Sequence, residues 1–234
     1  MSPRQVVGPL AVAEGGWVVA GSGAPSTHRD DRRRAVALPE WRARRFLHGR
    51  GLLRELLHTV APPLAGADIV PDGRGQPHLA GLPGAAVSVS HSDSMVACAF
   101  VAEGRIGVDL QHPAVPVGAT LARRLLRSHA PGVLALAPTR AAEEVAWVWT
   151  AQEACVKAAG VGLAGRPWEI DVPPGSNGGR WGPYRWICLR GASATPLSCA
   201  VGPVRTDGAD GSHLTKPVTR RSPPPTPCIL PRKV

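Results

Sequence analysis

Three short segments hold residues whose types and spacing could do chemistry. The run Arg105-Ile106-Gly107-Val108-Asp109-Leu110-Gln111 sets one carboxylate into an apolar alternation. On a period of two, Ile106, Val108 and Leu110 share one side, and Gly107, Asp109 and Gln111 the other. Asp109 is then a carboxylate among apolar neighbours, with a glycine before it that leaves room for something bulky. The competing reading is an Asp that ends a strand and starts a turn. The run Trp149-Thr150-Ala151-Gln152-Glu153-Ala154-Cys155-Val156-Lys157 places Glu153 and Lys157 on one helical face, with Trp149 a turn earlier. Taken alone, that is also an ordinary surface ion pair worth roughly 0.2–0.5 kcal/mol. The run Ser88-Val89-Ser90-His91-Ser92-Asp93-Ser94 surrounds a histidine with hydroxyls. His91 there could be a phosphate ligand, a general base beside a serine nucleophile, or part of a surface loop.

Elements must bring these segments together. Arginines alternate with Phe46, Leu47, Leu52, Leu53, Leu56 and Leu57 over 40–60, an amphipathic helix closed by Pro62-Pro63. A turn-rich segment with a short strand at its start follows, then a strand over Ala85–Ser92. Apolar runs at 95–102 and 105–110, separated by Glu103-Gly104, predict a β-hairpin. Helices are expected at 120–129 and 139–159. The second has Thr139 as N-cap, Glu143 and Glu144 near its first turn, and Gly160 as C-cap. Short strands are expected around 168–172, 184–190 and 197–201. Strands and helices mix without steady βαβ alternation, so the expected class is α+β. The expected units are an α+β half over 1–104, a second over 105–201, and a proline-rich disordered tail over 202–234.

Composition narrows the class of function. The chain has 234 residues and a net charge of +10, with 44% apolar residues, enough for a packed core. No apolar run approaches the ~18 residues a membrane span needs. The N-terminal MSPRQVVGPLAVAEGG shows no compact apolar core after a charged start, so no secretory signal is expected. Cysteines at 98, 155, 188, 199 and 228 form no CxxC pair, which argues against a disulfide framework or a cysteine zinc site and points to a reducing cytoplasm. Residues 29–54 carry nine arginines. Such a segment is either a solvated face or a surface for phosphate-bearing or acidic partners. Nucleic acid is the weaker partner, because only Trp41 and Phe46 interleave with the charges.

Together the segments carry a resemblance. Gly107-Val108-Asp109, then Glu153 44 residues on in a Trp-Thr-x-x-Glu-Ala-x-x-Lys helix, then Gly160-Val161-Gly162-Leu163, resembles the 4′-phosphopantetheinyl transferase superfamily, and within it the larger, surfactin-synthetase-activating type. VSVSHS at 87–92 is similar to that family's strand ending in Ser-His-Ser. GQP at 75–77 is similar to its Gly-Lys-Pro turn, and RRFLHGRGLLR at 44–54 to its basic helix. The order and spacing span roughly residues 30–165.

The resemblance implies two similar α+β subdomains related by a pseudo-two-fold axis, in a monomer. It implies Mg²⁺-dependent transfer of the phosphopantetheine arm of coenzyme A to a serine of an acyl or peptidyl carrier protein, releasing adenosine 3′,5′-bisphosphate. Carriers of polyketide, nonribosomal peptide and fatty-acid synthesis are all candidates. Asp109 and Glu153 would hold the Mg²⁺, with Gln111 standing where many members have a third acid. His91 would contact a phosphate. Lys157 would contact the pyrophosphate or help deprotonate the carrier serine, with Glu153. Arg45 would bind the 3′-phosphate, Gly75, Gln76 and Pro77 would form the turn near the adenine, and Ser90 would neighbour the same nucleotide. Gln111, Gln152 and Gln76 each stand in place of a charged residue, Gln152 and Gln76 thereby removing a phosphate-facing cation. Those departures leave open a catalytically weak relative that only binds coenzyme A or carriers. A basic nucleic-acid-binding protein and a Ser90–His91 hydrolase are the further alternatives, the last without a G-x-S-x-G elbow.

Overall fold

The computed structural model describes residues 7–204, and the class is mixed α+β. All but the first three residues of the proline-rich stretch lie outside the described residues, and Gly202 itself closes a strand.

Among the described residues, ten strands form two four-stranded antiparallel sheets and one small hairpin. The first sheet runs in the order β1 (Val7–Ala13), β2 (Gly16–Gly21), β6 (Met95–Val101), β5 (Ala86–Ser92). The second runs β7 (Arg105–Leu110), β10 (Leu197–Gly202), β9 (Tyr184–Cys188), β8 (Gly178–Trp181). The hairpin pairs β3 (Ile69–Pro71) with β4 (Pro77–Leu79). Helix α1 (Arg29–Ala35) leads into α2 (Glu40–Val60), while α3 (Ala119–Leu126), α4 (Ala130–Leu134) and α5 (Pro138–Ala159) follow β7.

Strand alternation sorts the apolar side chains into layers. Val18, Ala20, Ala97, Ala99 and Val101 from the first sheet meet Ile106, Val108, Leu110, Leu197 and Cys199 from the second in one core between the sheets. Val19, Val96, Cys98 and Phe100 point the other way, against Leu52, Leu53, Leu56 and Leu57 of α2. Tyr184, Trp186, Cys188 and Ala200 likewise face Ala151, Ala154, Cys155 and Ala158 of α5. The order of layers is helix, sheet, sheet, helix.

Several expectations change here. The runs at 95–102 and 105–110 are strands but not a hairpin. Both ladder edges of β6 are taken, by β2 and β5, so the chain leaves β6 after Val101 and starts the second sheet at Arg105. Residues 168–172 form no strand; Pro167–Glu169 is a 3-10 turn, and Ile170 and Val172 drop into the core beside α5. The long helix starts at Pro138, whose missing N–H suits a first turn, so Thr139 lies inside the helix and Ala137 holds the cap position. Gly160 closes that helix at φ 71°, as expected. The helix at 120–129 is α3 followed by a 3-10 turn, Arg127–His129. Strands β1, β2, β4 and β8 and helices α1 and α4 have no counterpart among the elements expected from the sequence.

Two contacts matter most for the site. Asp31 of α1 is 1% exposed and anchors α2: its Oδ2 lies 2.6 Å from Arg54 Nε and accepts from Ser26 Oγ at 2.7 Å, with Arg50 Nε 3.8 Å from Oδ1. The sheets are stitched where β5 meets β7. The N–H groups of Val108, Leu110 and His112 donate to the hydroxyls of Ser88, Ser90 and Ser92 at 3.1, 3.3 and 2.8 Å. Side-chain oxygens thus satisfy an edge that no backbone strand covers.

Candidate functional site

Gly107 decides how close α5 can come to β7. A Cβ there would collide with the Ala154 carbonyl oxygen and the Ala158 nitrogen, so the room left by this glycine is filled by the helix. That approach puts Glu153 and Lys157 beside Asp109. Lys157 Nζ donates to Asp109 Oδ1 at 2.6 Å and to the Val108 carbonyl at 3.2 Å. Lys157 therefore pairs across elements with Asp109, and the reading of Glu153–Lys157 as a plain surface pair fails. Asp109, 6% exposed, neither ends a strand nor starts a turn.

The polar atoms around the two carboxylates are unevenly satisfied. Asp109 Oδ1 accepts from both Lys157 Nζ and Ser90 Oγ, the latter at 2.7 Å. Among the described residues no donor reaches Asp109 Oδ2. Glu153 Oε1 is buried without any hydrogen-bond partner. Burial and then the Asp109 carboxylate push the Glu153 pKa up, and the Lys157 ammonium offsets only part of this. Two carboxylates that repel each other, with oxygens free of protein donors, suit a hard divalent cation with a preference for oxygen ligands. Gln111 does not join them directly. Its amide nitrogen donates to the His112 carbonyl at 3.0 Å, and its side chain lines an apolar pocket of about 290 Å³ with Trp149, Leu121 and Leu125.

A basic cleft of about 810 Å³ lies next to this pair. Arg34, Arg42, Arg45 and Arg50 line it with Trp41, Phe46, Gly75, Pro77 and His91. Arg45, Gly75, Pro77 and His91 thus converge from α2, the β3–β4 turn and the end of β5. His91 is held against α2 because residue 49 is glycine: a Cβ there would sit 2.8 Å from His91 Nε2. That nitrogen instead lies 2.8 Å from the Arg45 carbonyl. Burial lowers the His91 pKa, the Arg45 carbonyl partly restores it, and the charges of Arg45, Lys157 and His48 lower it further. Strand β5 ties the cleft to the carboxylate pair, because Ser90, which donates to Asp109, is the chain neighbour of His91. So does the turn carrying Gln76: Asp72 Oδ1 accepts from the Arg74 and Gln76 N–H groups at 2.8 Å, and Arg74 Nη1 donates to the Gly160 carbonyl at the end of α5.

Some expected residues are placed differently. Ser90 does not line the cleft; it is 6% exposed and turned toward Asp109. Because Ser90 and His91 are neighbours on one strand, their side chains leave on opposite faces, which removes the Ser90–His91 hydrolase. Gln152 is fully buried and donates to the Leu125 and Ile170 carbonyls at 3.0 and 2.9 Å, so it does not stand in for a phosphate-facing cation. Arg50 and Arg54, two arginines of the basic segment over 29–54, are tied to Asp31. Burial lowers the Arg50 pKa to about 10, with Asp31 acting against the shift.

Among the described residues, one group of three potential metal ligands occurs, His28, Asp30 and Asp68, none of which is Asp109 or Glu153. Asp30 is already paired with Arg33 at 2.9 Å. Cys98, Cys155, Cys188 and Cys199 are free and buried, and burial pushes all four thiols upward, Cys155 and Cys199 to about 12, so none of these four is a thiolate near neutral pH. No helix of the described residues is long and apolar enough to cross a membrane. No protein-family model matches the chain, and no curated protein matches it.

Proposed function

We propose that this protein is a 4′-phosphopantetheinyl transferase, moving the phosphopantetheine arm of coenzyme A onto a serine of an apo acyl or peptidyl carrier protein. One observation carries the reading: Asp109 and Glu153, far apart in sequence, converge with Lys157 beside a basic cleft that gathers Arg45, His91, Gly75 and Pro77. Two four-stranded sheets, each backed by a helix of more than 20 residues, support the expected two-fold arrangement of similar halves.

Asp109 and Glu153 would hold Mg²⁺ through the oxygens that no protein donor occupies. The cation supplies neutralisation of the pyrophosphate charge as the bond to the leaving phosphate breaks. Arg45 and His91 hold phosphate oxygens in the cleft. Lys157 fixes Asp109 through Oδ1 and adds positive charge at the junction of cleft and carboxylates. The Glu153 carboxylate oxygen that does not face the cation takes the proton from the carrier serine hydroxyl as the serine oxygen forms the new bond to phosphorus, and adenosine 3′,5′-bisphosphate leaves with the electron pair. The arginines of the cleft rim favour a polyanionic donor and an acidic carrier.

The test is intact-mass measurement of apo carriers incubated with the protein, coenzyme A and Mg²⁺. The carrier should gain the mass of the arm, and Asp109→Ala should abolish the gain. No gain on acyl or peptidyl carriers overturns the proposal; binding of coenzyme A without transfer favours the weak relative instead.

A further inference from the structure

The three-serine stitch between β5 and β7 is uneven, and the unevenness falls on the candidate metal site. Ser88 and Ser90 each accept one β7 N–H and Ser92 accepts that of His112 just beyond the strand, which registers the two sheets. Only Ser90 spends its single hydroxyl proton on a carboxylate, donating to Asp109 Oδ1 at 2.7 Å while accepting Leu110 N–H at 3.3 Å. Its hydroxyl is therefore fixed from both sides: the backbone of β7 holds its oxygen and Asp109 holds its proton. Lys157 completes the grip on the same oxygen at 2.6 Å. With Oδ1 saturated by two donors, Oδ2 is the oxygen turned to a ligand.

We propose that Ser90 is a positioning residue for metal binding: its hydroxyl orients the Asp109 carboxylate so that Oδ2 faces the cation, and it makes no contact with the nucleotide. This rests on the transferase reading above and assigns Ser90 a role different from the one the family resemblance implies. Hydrogen-bond partners of metal-binding carboxylates typically govern affinity by about 10–100-fold.

The experiment separates orientation of Asp109 from sheet stitching. Mn²⁺ affinity is measured by electron paramagnetic resonance on the full chain without coenzyme A, alongside the Mg²⁺ concentration at half-maximal transfer. Ser88→Ala, Ser90→Ala and Ser92→Ala each remove one acceptor from a backbone N–H of β7 or of His112 just after it, so a purely structural role lowers the melting temperature in all three alike. Orientation of Asp109 predicts that Ser90→Ala alone weakens Mn²⁺ binding, by roughly tenfold or more, and raises the Mg²⁺ requirement in parallel. The KM for coenzyme A at saturating Mg²⁺ stays unchanged. Ser90→Cys, which keeps a weaker donor, falls between the two and serves if the alanine variant does not fold. Equal Mn²⁺ affinity in Ser90→Ala and Ser88→Ala, or a raised coenzyme A KM at saturating Mg²⁺, overturns the assignment. Absence of Mn²⁺ binding in the wild-type chain overturns the metal site itself, and is distinguishable because no variant is involved.

Discussion

Replacing Glu153 with Gln should move stability and activity in opposite directions. In the metal-free protein the Glu153 carboxylate is a largely buried charge beside a second one, with Oε1 unpartnered. A buried polar atom without a partner costs about 1–3 kcal/mol, and more when charged. Glutamine has nearly the same shape and no charge, so it removes the repulsion from Asp109 but leaves an amide still short of partners. The net gain should be about 1 kcal/mol, a rise of roughly 2–4 °C in Tm for a chain of this size. The sign with pH follows from the raised pKa of Glu153. A folded-state pKa above the unfolded one means that folding takes up a proton. The stabilisation is complete below the ordinary glutamate range and is lost as pH rises through the folded value. Scanning fluorimetry in EDTA should therefore show a Tm gap between variant and wild type at neutral pH that closes toward about pH 4. Transfer activity should fall by roughly 10²–10⁴-fold, the range for loss of a positioned general base. A variant less stable than wild type at neutral pH, or a Tm gap indifferent to pH, would refute the electrostatic reasoning. Near-normal transfer would take Glu153 out of the chemistry.

Three other outcomes are expected. Asp31→Asn strands Arg50 and Arg54 without their counter-charge and should cost about 3–5 kcal/mol in urea unfolding at neutral pH. Burial alone would raise the Asp31 pKa, but hydrogen bonds from Arg54 and Ser26 and the charges of Arg54 and Arg50 hold it below the ordinary value. Its contribution is thus present above the ordinary aspartate range and lost as pH falls through the depressed value, so the variant should show a flatter acid limb. Gly107→Ala forces α5 away from β7 and should cost about 1–3 kcal/mol, with loss of Mn²⁺ binding as Glu153 and Asp109 separate; unchanged metal affinity would contradict the close-approach role. Burial and neighbouring cations keep His91 neutral more readily than an ordinary histidine. An anion in the cleft should raise its pKa, so calorimetry of coenzyme A binding near pH 6–7, repeated in buffers of different ionisation enthalpy, should report proton uptake that His91→Ala abolishes.

Much of the candidate site was legible because its residues sit on strongly patterned elements. The helix over 40–60 and the strand over 105–110 have periodicities that leave little choice of face, and the structure keeps both. The alternation that set Asp109 opposite Ile106, Val108 and Leu110 needs no tertiary information, since successive strand residues must diverge. The hairpin at 103–104 failed for a reason that local sequence does not carry. A two-residue Gly turn signals adjacency only when the strand edge is free, and the edges of β6 are occupied by β5, which reaches it through the turn at 93–94, and by the distant β2. Ser90 and Gln152 were misplaced for a related reason: a motif gives the residue type and order, while the facing neighbour decides what a side chain touches.

From the residues alone came the periodic faces, the helix end at Gly160, the clustering of arginine over 29–54, and the presence of two acids and a lysine in chemically suggestive company. Tertiary packing decided which of these met. Lys157 turned to Asp109 instead of Glu153, two of the arginines were spent on Asp31, and a serine row closed the gap between sheets. The physical reason is range: periodicity and caps act within one or two turns of chain, whereas a carboxylate's partner is set by whichever donor the packing of separate elements brings within about 3 Å.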